Sequence, residues 1–126
     1  MFEYSPIILK HFYSPRHVGI LNKDDPEVGT GKIGDADSTC IMQLQVRINS
    51  KRIISTACFK AHGCVSAVAT MSWLCEYIIG KSVNETEAIS STFIRDTLQL
   101  KPQKISCALM AEDVVKLAIK DWQKKL

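Results

Sequence analysis

A change of hydrophobic period constrains this chain more than any other feature. From Ile41 to Ile48, Met42, Leu44, Val46 and Ile48 alternate with Ile41, Gln43, Gln45 and Arg47, the pattern of a strand with one buried face. After a polar turn at Asn49-Ser50-Lys51, the residues Ile53, Ser55, Ala57 and Phe59 give one face of a second strand. Two such runs joined by a short polar turn predict an antiparallel hairpin. Beyond Gly63 the period becomes helical: Val68, Met71, Cys75 and Ile78 recur on one face, and Gly80 ends the run. Strands followed by helices predict an α+β fold.

The flanks fit that class. Ser5-Pro6 ahead of IILKHFY reads as an N-cap with proline at the first helical position. Val28–Ile33 is a glycine-weakened strand, completing a small antiparallel three-stranded sheet. Ser82–Ile89 is a short helix or turn, and Ser91–Leu98 is another helix. Val115, Ala118, Ile119, Trp122 and Leu126 mark a long amphipathic C-terminal helix. At 126 residues the chain suits a single domain, 1–126, large enough to fold without staples.

Several function classes fall away. The net charge of +3 is too small to predict a nucleic-acid partner, and the lysines Lys116, Lys120, Lys124 and Lys125 read as a solvated helix face. No apolar run approaches the roughly 20 residues a bilayer demands, and MFEYSPIILKHF lacks a basic leader. The expectation is a cytoplasmic protein with no membrane partner, or a mitochondrial matrix protein if a eukaryotic leader has been processed away.

The stretch GTGKIG, Gly29–Gly34, spells the glycines of a dinucleotide fingerprint. It leads into a strand rather than a helix, and no carboxylate follows near position 54, so the phosphate reading fails. Lys32 is not followed by a Ser/Thr, which excludes a Walker loop.

Cysteines stand at 40, 58, 64, 75 and 107. Their odd number predicts no disulfide framework. Cys75 belongs to an apolar helix face and Cys58 is a spectator on the sheet. Cys40, Cys64 and Cys107 fall at junctions between loops and elements. The last two lie near helix N-termini, where thiolate is favoured over thiol. Thiolate is the form that takes soft metals and iron–sulfur clusters. Gaps of 24 residues (40 to 64) and 43 (64 to 107) contain no C-x-x-C knuckle. Spacing alone therefore leaves a metal site, three unrelated cysteines and a thiol nucleophile open. His62, beside Gly63-Cys64, is an accessory candidate.

Five stretches in order carry a resemblance. YSPRHVG (Tyr13–Gly19), VGTGKIG (Val28–Gly34), FKAHGCVSAVA (Phe59–Ala69), GKSVNETEAI (Gly80–Ile89) and ISCALMAED (Ile105–Asp113) resemble the IscU/NifU-type iron–sulfur cluster assembly scaffolds. The likeness covers nearly the whole chain. It implies the same α+β fold and a carrier rather than a turnover enzyme. The carrier would receive iron, and sulfur from a cysteine desulfurase, and pass a transient [2Fe–2S] cluster to acceptor apo-proteins. It also implies a frataxin-like partner and Hsp70/J-type chaperones.

The ligand positions depart from the family's pattern. Where the family carries A-C-G-D, gapless alignment puts its cysteine on Ser38 and its aspartate on Cys40, and the histidine before its last cysteine is Ser106. A serine hydroxyl is a poor substitute for a thiolate on iron. The expected ligands are Cys40, Cys64 and Cys107, with Asp37 or a nonprotein group in fourth place and Ser38, His62, Lys104 and Ser106 as accessories. The chaperone motif is altered: Leu100, Pro102 and Lys104 are kept, while Lys101 and Gln103 replace a proline and a valine. An extended backbone at Pro102 would preserve strand-like docking. The same departures motivate two alternatives. One is a degenerate scaffold that holds zinc or no metal and serves as a regulatory partner module; the other is a persulfide-carrying sulfur transferase.

Overall fold

The computed structural model describes residues 4–34 and 40–126. Its elements run α1 (Pro6–Tyr13), β1 (Val28–Ile33), β2 (Ile41–Ile48), β3 (Ile54–His62), α2 (Val65–Ile78), α3 (Val83–Glu87), α4 (Ser91–Leu98), a 3-10 turn (Pro102–Lys104) and α5 (Ile105–Gln123). The strands form an antiparallel meander in the order β1-β2-β3. The α+β class, the three-stranded sheet and the long C-terminal helix are those expected.

Local chemistry explains the element ends. The Ser5 hydroxyl accepts from the Ile8 N–H at 3.4 Å and donates to the Leu98 carbonyl at 2.7 Å, so one side chain caps α1 and ties it to α4. Ser82 and Glu85 form a reciprocal capping box on α3. Gly80, at φ +92°, makes the left-handed turn after α2 that a side chain would strain.

Met42, Leu44 and Val46 on β2 stand opposite Ala61, Phe59 and Ala57 on β3, and all but Ala61 are buried. This face packs on α2 and α5, where Ala111, Val114, Ala118 and Ile119 complete the core. On β1 the residues facing Leu44 and Val46 are Gly31 and Gly29. A Cβ on Gly29 would collide with the Ala118 carbonyl oxygen, and one on Gly31 with the Val114 carbonyl oxygen. The glycines of the false nucleotide fingerprint thus let the α5 backbone lie directly on the strand.

Two features depart from the expected pattern. A register irregularity between Arg47 and Ile48 shifts the phase of the hairpin. Ile54 is therefore fully buried, Ser55 is exposed and Ile53 is half-buried. In addition, residues 17–19 pair with β3: the Phe59 N–H donates to the His17 carbonyl and the Gly19 N–H to the Phe59 carbonyl, each at 3.0 Å. Gln45, buried on the sheet's second face, accepts from the Leu21 N–H at 2.7 Å and donates to the Leu21 carbonyl at 3.0 Å. The chain from His17 to Leu21 therefore covers the face that carries Cys58.

Candidate metal centre

The sheet ends where the helices begin, and the three singled-out thiols lie at that boundary. Cys40 immediately precedes β2. Cys64 is the N-cap of α2, reached through Gly63 at φ +122°. Cys107 is the third residue of α5, after the 3-10 turn. The antiparallel register sets Ile41 opposite His62, which brings the start of β2 alongside the end of β3. Two residues separated by 24 in sequence consequently bring their sulfurs to 3.2 Å. Cys107 is near enough to Cys64 to interact with it electrostatically.

The three thiols are not equivalent. Burial alone would raise Cys64, but the Cys40 thiol at 3.2 Å, the nearby Ala67 backbone N–H, the Cys107 thiol and the Lys104 ammonium together outweigh it and bring its pKa below the ordinary thiol value. Of Cys64 and Cys107, Cys64 loses its proton first. Cys107 corrects the expectation of a second helix-end thiolate. Burial, followed by the negative charge of a Cys64 thiolate, pushes it up to about 12 despite its place in the first turn of α5. At 2% exposure, desolvation outweighs the helix end.

Can such a trio take a metal ion? Two thiolates on one tetrahedral ion with bonds of about 2.3 Å stand about 3.8 Å apart. At 3.2 Å the Cys40 and Cys64 sulfurs are in thiol contact, closer than that spacing. No three carboxyl, imidazole or thiol groups among the described residues are preset as an ion cage. The donor set fits a soft ion in kind, and separating the first two sulfurs by about half an ångström fits it in size. Cys40 lies outside the β2 ladder and Cys64 is half outside α2, so neither movement breaks a strand or helix.

The accessory candidates divide. Lys104, half-buried, acts on both Cys64 and Cys107. His62 is exposed and lines an open groove of about 370 Å³ with Phe12, Ala61, Gly63, Cys64, Val65 and Val68. Ser106 is exposed on the first turn of α5. Asp37 and Ser38 lie outside the described residues. In the chaperone-motif position, Lys101 is extended, as the residue before a proline prefers, whereas Pro102–Lys104 coil into the 3-10 turn. The expected strand-like docking backbone thus does not continue through Pro102; Pro102 and Gln103 are exposed and Leu100 packs against the core.

Cys75 is fully buried and its pKa is raised by burial, as its place on an apolar face predicts. Cys58 is buried on the opposite side of the sheet. One polar network went unread in the sequence. Buried His11 places Nδ1 2.8 Å from the Ser72 hydroxyl, which also accepts from the Arg16 N–H at 2.8 Å. The only sequence signal was a histidine on the apolar side of α1.

A small meander under two helices, with three thiols where the helix N-termini meet the sheet, defines a class of thiol-bearing α+β domain. The model of the NifU-like N terminal domain matches residues 3–126, and the chain belongs to that family. It is 43% identical over 122 residues to the iron-sulfur cluster assembly scaffold protein IscU of Buchnera aphidicola subsp. Schizaphis graminum, covering 97% of this chain and 95% of that one. It is 41% identical, with the same coverage, to the protein of that name from Escherichia coli strain K12. Among solved structures, the N-terminal NifU-like protein of Brucella abortus superposes with a TM-score of 0.71 at 15% identity, over 97% of this chain and 95% of that one, a likeness of fold.

Proposed function

We propose that this chain is a scaffold on which an iron–sulfur cluster is assembled and from which it is handed on. Iron, and sulfur from a cysteine desulfurase, are its substrates; a [2Fe–2S] cluster is its cargo; acceptor apo-proteins are the recipients. Cys40, Cys64 and Cys107 are the proposed thiolate ligands, with Asp37 or a nonprotein group completing the set. The observation that carries this reading is the 3.2 Å approach of the Cys40 and Cys64 sulfurs, with Cys107 within electrostatic reach of Cys64. The family and the IscU relatives support it, since those relatives are named as scaffolds.

The residues divide the work. Cys64, more readily deprotonated than Cys107, takes the first iron. Loading then draws the proton from Cys107, because a bound cation reverses the electrostatics that hold that thiol neutral. Lys104 offsets part of the negative charge of several thiolates. An exposed mouth beside His62 leaves the cargo open to a partner, as a carrier requires. The altered motif at Leu100–Lys104 keeps a proline turn and a lysine but no second apolar anchor, so docking by Hsp70/J-type chaperones loses a contact; a frataxin-like protein is a further proposed partner beside the desulfurase.

Anaerobic reconstitution tests this. Protein, ferrous iron, cysteine, a desulfurase and a dithiol reductant to bring the transferred sulfur to sulfide should give visible sulfur-to-iron absorbance and bound iron and sulfide in equal amounts. Cys40→Ala should abolish cluster retention, and Ser38→Ala should leave it intact. Tight zinc with no cluster, or persulfide on one cysteine without iron, would contradict the proposal.

A further inference from the structure

The family aspartate that Cys40 replaces could serve a metal but could never join covalently to Cys64. The substitution gives this chain a close dithiol, and the geometry of that pair goes beyond ligation.

We propose that Cys40 and Cys64 form a redox-modification site, which a two-electron oxidant of the peroxide class closes to a disulfide. The sulfurs stand at 3.2 Å. A disulfide bond is about 2.05 Å long, so they must approach by a little over 1 Å. Both residues are half-exposed, and Cys64 lines the open groove through which a small oxidant arrives. Each occupies an element end, Cys40 ahead of the first paired residue of β2 and Cys64 as the N-cap of α2. The other thiols are poorer partners. Cys107 is 2% exposed and sits within α5, Cys75 is 0% exposed in the core, and Cys58 is 8% exposed beneath residues 17–21.

The chemistry balances with hydrogen peroxide as oxidant. One sulfur of the pair attacks a peroxide oxygen, the O–O bond breaks, and water leaves a sulfenic acid behind. The second sulfur attacks the sulfenic sulfur, the S–S bond forms, the S–O bond breaks and a second water departs. The protein gives up two electrons and two protons, and the peroxide is reduced to two waters. A dithiol reductant reverses the change by exchange. The consequence rests on the proposed function: the disulfide withdraws two of three ligands, and assembly stops under oxidising conditions.

The test uses the full chain, stripped of metal with a chelator and freed of reductant. After peroxide treatment, unreduced peptide mapping should find a peptide linked through Cys40 and Cys64. Thiol titration of the denatured product should show loss of two of the five thiols, restored by a dithiol. Cys107→Ala should still form the link, Cys40→Ser should lose it, and preloading with zinc should suppress it. A different pair dominating, linkage between molecules, or sulfinic acid without a cross-link would overturn the proposal. The measurement is independent of cluster assembly. A mapped disulfide in a chain that never takes up iron and sulfide leaves this inference standing and retires the scaffold reading; a cluster assembled by a chain that never forms the link does the reverse.

Discussion

The two ends of α5 are held in opposite ways. Toward its C-terminus, Asp121 accepts from the Thr30 N–H at 2.9 Å and the Lys125 ammonium donates to the Val28 carbonyl at 2.7 Å. Side chains there satisfy the outer edge of β1, which would otherwise offer unpaired backbone groups to another strand. Between these contacts and the N-terminus, Gly29 and Gly31 press the helix backbone onto the sheet. At the N-terminal end the Cys107 thiol interacts with Cys64 only electrostatically. The seam is a fixed junction with no tolerance for added atoms. The thiol end is an adjustable one whose members can separate by fractions of an ångström to admit a cargo.

The largest expected effect falls on the seam. Gly31→Val should cost about 3 kcal/mol or more, above the usual range for overpacking because the colliding atom belongs to helix backbone. Urea denaturation reads it directly, and wild-type stability would break the account of the glycines. Next comes Asp121→Ala, which strands the Thr30 N–H and should cost about 1 kcal/mol.

A third effect is pH-dependent. Burial holds His11 below its ordinary pKa of 6.5. The folded state therefore prefers the neutral ring, and this contribution is present above pH 6.5 and lost as pH falls through the lowered folded value. The metal-free protein should lose stability on that acid limb, and His11→Gln should flatten it; an unchanged limb would exclude His11 as the group. The smallest effect concerns Ser66 and Thr70, whose buried hydroxyls have no hydrogen-bond partner among the described residues. Thr70→Val should alter stability by no more than about 0.5 kcal/mol, in either direction, because no hydrogen bond is lost.

What the sequence revealed follows the same division. The hairpin, the helix limits at Pro6, Gly80 and Ser91, and the core place of Cys75 are local signals of period and capping, and they were readable. The use of Gly29 and Gly31 was not, because the helix they meet lies more than 80 positions downstream and no local pattern announces a close approach. The start of β3 escaped because one irregularity between Arg47 and Ile48 puts Ile54 rather than Ile53 in the core, while Ala57 and Phe59 stand on the expected face. At the site, the junctions between loops and elements singled out the three cysteines, whereas the family alignment put its cysteine on Ser38, and the expectation of Cys40 rested on its nearness to that position. The burial that raises Cys107 against its helix end depends on what packs around it, which spacing does not encode.

The most direct measurement is the thiolate-to-metal charge-transfer absorbance of the cobalt(II)-loaded protein, whose intensity follows the number of bound thiolates. The account predicts a three-thiolate band in the wild type and in Ser38→Ala. It predicts loss of about one third of the intensity in Cys40→Ala, on the premise that each coordinating thiolate contributes equally. A Cys40→Ala spectrum identical to wild type would contradict it.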